Sequence, residues 1–112
     1  MAAKEQIDEA RALIRGAMAA TLATQRDGQP FASLVTPAPA PDLSPLLLIS
    51  TLAEHTRHLK AEPRCALMFS GTTAEANPQT APRISVTGLA APVPEEEVPT
   101  MKARWLARHP YG

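Results

Sequence analysis

The sequence predicts one small domain of mainly β character with flanking helices, in the α+β class. Three observations carry this. Asp27-Gly28 stands between two apolar runs and marks a tight hairpin, because both turn positions tolerate positive φ. Further apolar runs of strand length follow, separated by Pro-, Gly- and polar-rich connections. Stripes of helical period flank these runs at the two ends of the chain.

Residues 4–20 read as the first helix. Ile7, Ala10, Ile14 and Ala17 share a face that Leu13 and Met18 widen, with Lys4, Glu5, Asp8, Glu9, Arg11 and Arg15 mainly opposite. The first strand is expected at 20–26 and the second at 29–37. The run from Pro37 to Asp42 cannot be a central strand, since proline lacks the N–H a ladder needs, and it reads as an exposed connection. Leu46 to Ser50 reads as a third strand suited to a doubly buried position. A short helix follows at Glu54 to Ala61, with Thr51 or Ser50 as its cap and Leu52 and Leu59 as apolar contacts. Strands at Arg64–Phe69 and Arg83–Leu89 flank a polar loop. A final helix covers Pro99 to His109, with Pro99 in its first turn. The domain spans 1–112, with the N-terminal helix in 1–19, strands in 20–93 and the C-terminal helix in 95–109. Five strands in a chain this short suggest a small barrel, because closure removes exposed edges.

With 112 residues there is room for one core and not two. Much of the 45% hydrophobic content is alanine and only 4% is aromatic, so a second subunit is an expected source of stability. Eleven basic side chains balance eleven acidic ones, which argues against a general nucleic-acid surface; any anion site must be local. No segment approaches the apolar length of a membrane span, and no signal peptide is recognisable, so the default location is cytoplasmic. The single cysteine, Cys65, lies in an apolar run and reads as a small buried residue.

The basic side chains concentrate in one stretch. His55, Arg57, His58, Lys60 and Arg64 follow Ser50-Thr51 directly. A strand, a hydroxyl pair and a helix start with cations nearby make a phosphate site: free N–H groups at a helix N-terminus face an anion and the dipole favours it. The alternative is a plain helix cap with solvated cations. No Gly-rich cradle is present. The three histidines, at 55, 58 and 109, lack the i, i+4 pairing of a helical metal site, and no nucleophile elbow marks a hydrolase.

Four stretches, LATQRDGQPFASLV, LLISTLAEHTRHLKAEPRCALMF, PRISVTGLAAPV and ARWLARHP, together resemble the pyridoxamine 5′-phosphate oxidase-like FMN-binding split-barrel superfamily, most closely its heme-utilisation branch. The resemblance runs from about Ala10 to Tyr111. It implies a split β-barrel that dimerises and holds FMN at the dimer interface. Family chains continue past a match to ARHP into a further strand, whereas this chain stops at Gly112, so the expected barrel is short of its last strand. On the matched positions the implied cofactor residues are Ser33, Leu34 and Val35 on the second strand, with Leu34 and Val35 offering backbone to the isoalloxazine. Ser50 and Thr51, then His55, Thr56 and Arg57, surround the phosphate, and Arg83 stands on the fifth strand where the oxidase has a glutamine. No catalytic residue and no metal ligand is assigned. The resemblance implies an FMN flavoprotein, as an oxidoreductase of unspecified substrate. Its alternatives are a heme-binding or heme-degrading protein and a non-catalytic dimeric domain.

Overall fold

The structure, a computed structural model, describes residues 3–112; residues 1 and 2 of the expected N-terminal helix lie outside the described residues. In chain order it comprises α1 (Ala3–Gly16), β1 (Ala20–Arg26), β2 (Gln29–Val35), β3 (Ala38–Pro39), β4 (Pro45–Leu46), α2 (Glu54–Ala61), β5 (Arg64–Ser70), β6 (Arg83–Leu89) and α3 (Val98–Arg108). A four-stranded antiparallel sheet has the order β2-β1-β5-β6, and β3 and β4 form a separate two-stranded ribbon.

The hairpin forms where the turn chemistry places it. Asp27 and Gly28 both have positive φ, 52° and 79°, and close the β1–β2 pair at Arg26 and Gln29. The period of two then sorts the side chains. Ala20, Leu22 and Thr24 share the inner face with their partners Val35, Ser33 and Phe31. Leu67 and Phe69 continue that face on β5, and Ile84 and Val86 on β6. Ala20, Leu22, Val35, Leu67 and Phe69 are the buried core. Leu13, Ile14 and Ala17 from the α1 end pack on it, as do Leu59 of α2 and Leu47.

Four expectations are corrected. The third strand, expected at Leu46–Ser50, shortens to Pro45–Leu46, paired with β3. Leu47 to Ser50 run outside any ladder, and Leu48 is 46% exposed, so this stretch is not doubly buried. Its apolar character suits a strand, but no described strand lies beside it. The barrel is therefore open: the sheet ends at two free edges, β2 and β6.

The proline-rich connection is not an exposed loop. Pro37, Ala38 and Ala40 are buried, Ala38 to 1% exposure. Its prolines cannot donate, but their carbonyls accept, and α3 supplies the donors. Trp105 Nε1 donates to the Thr36 carbonyl at 2.9 Å, Arg104 Nε to that of Pro39 at 2.6 Å, and His109 Nε2 to that of Pro37 at 2.9 Å. Arg108 donates to the Ala17 carbonyl, just past α1, at 3.2 Å. The stretch ARWLARH thus latches the C-terminal helix onto a segment that cannot satisfy itself.

The helix cap is the third correction. The N-cap of α2 is Ala53, and no side chain caps the helix. The Ser50 hydroxyl instead accepts from the Leu52 N–H at 3.1 Å, and the Thr56 hydroxyl donates to the Ser50 carbonyl. Cys65, expected buried, is half-buried, and that burial pushes its thiol pKa up.

Candidate functional site

α2 is tied to the inner face of the hairpin by a residue the motif reading did not single out. His58 is buried; its Nδ1 lies 2.9 Å from Thr24 Oγ1 and its ring meets Phe31 edge-on at 4.9 Å. Its Nε2 faces the Glu54 carboxylate at 3.6 Å. A carboxylate only accepts, so we assign the ring proton to Nε2, which leaves Nδ1 to accept from Thr24. This contact seats the middle of α2 against β1 and beside the turn-proximal Phe31 of β2.

The start of α2 is open to an anion. Among the described residues, the N–H groups of Glu54, His55 and Thr56 have no backbone acceptor and no capping side chain. Free N–H groups with the helix dipole behind them attract negative charge. Ser50 and Thr51 lie three and two residues before the N-cap, Ala53, and both are exposed. Thr56 is buried with its hydroxyl committed to Ser50. His55 is half-buried and makes no side-chain hydrogen bond among the described residues. Arg57 is exposed and held by Glu54 at 3.3 Å, so an incoming anion competes with that carboxylate.

On β2, Ser33 opposes Leu22 on the inner face. Its hydroxyl is buried without a hydrogen-bond partner, which is costly unless something else supplies one. Pairing alternates along the hairpin from the closing pair Arg26–Gln29, so Val35 exchanges its backbone bonds with Ala20, whereas Leu34 turns its N–H and C=O out from the free edge. The Leu34 backbone is available to a ligand; that of Val35 is spent in the ladder, and its side chain is in the core.

Arg83 stands apart from this group. It lies on β6, beyond β1 and β5 from β2, and its guanidinium donates to the carbonyls of Gln79 and Ala81 at 2.7 and 3.2 Å. With Glu5, Gln6 and Glu9 of α1 it lines a separate crevice. The chain therefore brings Ser50, Thr51, His55, Thr56 and Arg57 together at the start of α2, and leaves Arg83 elsewhere. Among the described residues no group of three or more metal-ligating side chains forms.

A larger feature lies on the open side of the sheet. A cleft of about 1140 Å³ runs along the inner face, with Leu22, Leu67 and Val86 as its floor and Leu47, Ile49 and Met101 in its walls. Thr56, Lys60 and Cys65 also line it.

The family profile described as pyridoxamine 5′-phosphate oxidase matches residues 7–111. The chain belongs to the pyridoxamine 5′-phosphate oxidase family. Among the family's relatives, the chloroplastic heme oxygenase HOZ of Arabidopsis thaliana is 33% identical over 107 residues, covering 93% of this chain and 32% of that protein. A heme-binding protein from Mycobacterium smegmatis superposes with a TM-score of 0.80 at 31% identity, covering 89% of this chain and 41% of that one. The Agrobacterium tumefaciens protein Atu2129, of unknown function, gives a TM-score of 0.85 at 26% identity, covering 98% and 47%. The chain thus spans less than half the length of each of these relatives. The family resemblance expected from the sequence, including its heme-utilisation branch, is borne out. No helix among the described residues is long and apolar enough to cross a membrane.

Proposed function

We propose that this chain is an FMN-binding flavoprotein, serving a flavin-dependent oxidoreductase, whose phosphate site is the start of α2. The carrying observation is the set of unclaimed N–H groups at Glu54, His55 and Thr56. The residues present fit a phosphate-bearing flavin. The N–H groups and the hydroxyls of Ser50 and Thr51 would bond the phosphate, and His55 and Arg57 would offset its charge. The orphaned Ser33 hydroxyl and the free Leu34 backbone would serve the rest of the cofactor. When bound, FMN supplies electron transfer at its ring system, and the protein supplies position and electrostatics. Arg83, engaged with its own loop, has no part in this set within one chain.

The same reading includes a homodimer through the outer face of the sheet. There Leu34 and Met68 flank Thr21 across the strands, 75% and 43% exposed, with Ala23, Ala32 and Ala66 in the next row. The core behind them is small, so a second copy covering this face offers burial that one chain lacks. Nucleic acid and membrane stay outside the proposal, and the cytoplasm remains the proposed location.

Heme is the second reading, favoured because the Arabidopsis and Mycobacterium relatives are a heme oxygenase and a heme-binding protein. The visible absorption spectrum separates the two. Flavin bands that stay with the protein after FMN is added and the excess removed support the proposal. A Soret shift on adding heme, with no flavin retained, replaces it by the heme reading. A flat spectrum in both cases leaves a domain without either cofactor and ends the flavin proposal.

A further inference from the structure

We propose that Glu54 is a built-in competitor of the phosphate site at the start of α2, and that His58 is the positioning residue that holds its carboxylate off the free N–H groups there. This role rests on the phosphate-site reading above. It is carried by a side-chain cluster: Glu54, Arg57 and His58 on α2, with Thr24 and Phe31 behind them on the hairpin.

Glu54 is the first residue of α2, so its carboxylate belongs to the same turn as the N–H groups of Glu54, His55 and Thr56. The helix dipole that favours a phosphate there also favours a side-chain carboxylate. A first-turn acid can therefore close its own helix end and shut out a ligand. Glu54 does not: among the described residues its carboxylate accepts from no backbone N–H. One of its oxygens lies 3.3 Å from Arg57 Nη1 and the other 3.6 Å from His58 Nε2. These partners follow at i+3 and i+4, the spacing at which helical side chains meet. They draw the carboxylate to the flank of the helix and leave its end open.

The two partners differ in what holds them. The Arg57 side chain is 53% exposed on a flexible stem, and an exposed pair of this kind fixes little. The His58 side chain is 8% exposed. Its Nδ1 is set against Thr24 Oγ1 at 2.9 Å and its ring against Phe31. The Nε2–H is thus a fixed point established by β1 and β2. At 3.6 Å its contact with Glu54 is too long for a full hydrogen bond, so it orients the carboxylate without locking it. Loss of this N–H frees the carboxylate to turn back onto the helix end, where an incoming phosphate must displace it. Loss of the carboxylate itself leaves the N–H groups without a rival, releases Arg57 to the phosphate and removes a like charge beside it.

Inorganic phosphate is the probe, titrated at low salt into the isotope-labelled 112-residue chain. The amide signals of Glu54, His55 and Thr56 are the readout. Glu54→Gln should lower the dissociation constant by about tenfold, because a unit charge next to the phosphate is gone. His58→Leu should raise it several-fold in the parent and leave it unchanged in the Glu54→Gln background. A histidine that only packed α2 on the hairpin would cost the same in both backgrounds, and that result overturns the positioning role. If His58→Leu fails to fold, Thr24→Val, which unpins the ring at nearly constant volume, takes its place with the same dependence on background expected. Glu54→Gln binding phosphate no tighter than the parent overturns the competitor. FMN added to the same proteins keeps this role apart from the flavin reading. Tightened phosphate with no FMN retained supports the competitor and ends the flavin reading. Retained FMN, with phosphate affinity unmoved by Glu54→Gln, does the opposite. Phosphate that moves none of these amides in either protein overturns the competitor and the phosphate site together.

Discussion

Single side chains decide what the site can hold. Ser33 keeps a buried hydroxyl with no partner, so the free protein carries a desolvation cost that a ligand would relieve. Ser33→Ala should raise the stability of the ligand-free protein by about 1 kcal/mol and weaken FMN binding. Denaturant titration and FMN titration read the two effects separately, and a variant that binds FMN as well as the parent removes Ser33 from the site. At the end of α2, the Glu62 carboxylate accepts two bonds from the Arg64 guanidinium, at 2.7 and 3.0 Å, and one from the Arg64 N–H at 3.0 Å. These bonds, the side-chain ones foremost, hold its pKa at about 2 instead of the ordinary 4.5. The folded pKa is depressed, so the contribution is complete above 4.5 and is lost as pH falls toward about 2. A carboxyl titration followed by NMR should show Glu62 among the last to protonate, and Arg64→Ala should return it toward 4.5; a midpoint unmoved by that substitution contradicts the assignment.

At the scale of elements, α3 matters less as a helix than as a row of donors. Trp105→Phe keeps an aromatic ring, gives up some buried volume, and deletes the bond to the Thr36 carbonyl, leaving that carbonyl unpaired beside buried Pro37. The expected cost is about 1–3 kcal/mol in the urea midpoint, and no change would mean that the latch is incidental. The elements also show what the sequence made legible. Asp27-Gly28 set its hairpin correctly because the turn is chosen by those two residues alone. The helix start at Glu54 and both later strands followed from local period. Leu46 to Ser50 was misread because an apolar run becomes a strand only when another strand lies beside it, and that neighbour is a property of the whole fold. His58 was passed over for a similar reason: its partner Thr24 is 34 residues earlier, and nothing in the spacing joins them. The segment from Pro37 to Ala40 was read as exposed because the missing N–H groups of its prolines are visible in the sequence, while the donors that reach its carbonyls come from α3.

At the scale of the fold, the decisive fact is that, among the described residues, a four-stranded sheet is covered on one side only in part and on the other not at all. Leu34→Lys should leave the fold intact, because the residue projects outward, and should disrupt the proposed homodimer. Sedimentation velocity should then give a dimer for the parent chain and a monomer for the variant, and a monomeric parent at tens of micromolar would remove the dimer from the proposal. The latch of α3 carries a further consequence, for synthesis. Its bonds join residues 65, 69, 72 and 91 positions apart. The ribosome releases the early partners first, so the proline segment and the carbonyl after α1 wait unsatisfied until α3 is made. They close only as Arg104, Trp105, Arg108 and His109 emerge. The nascent domain is therefore exposed to proteases and to chaperones until α3 emerges, and a product stalled before α3 lacks the part that ties the proline segment and the end of α1 together.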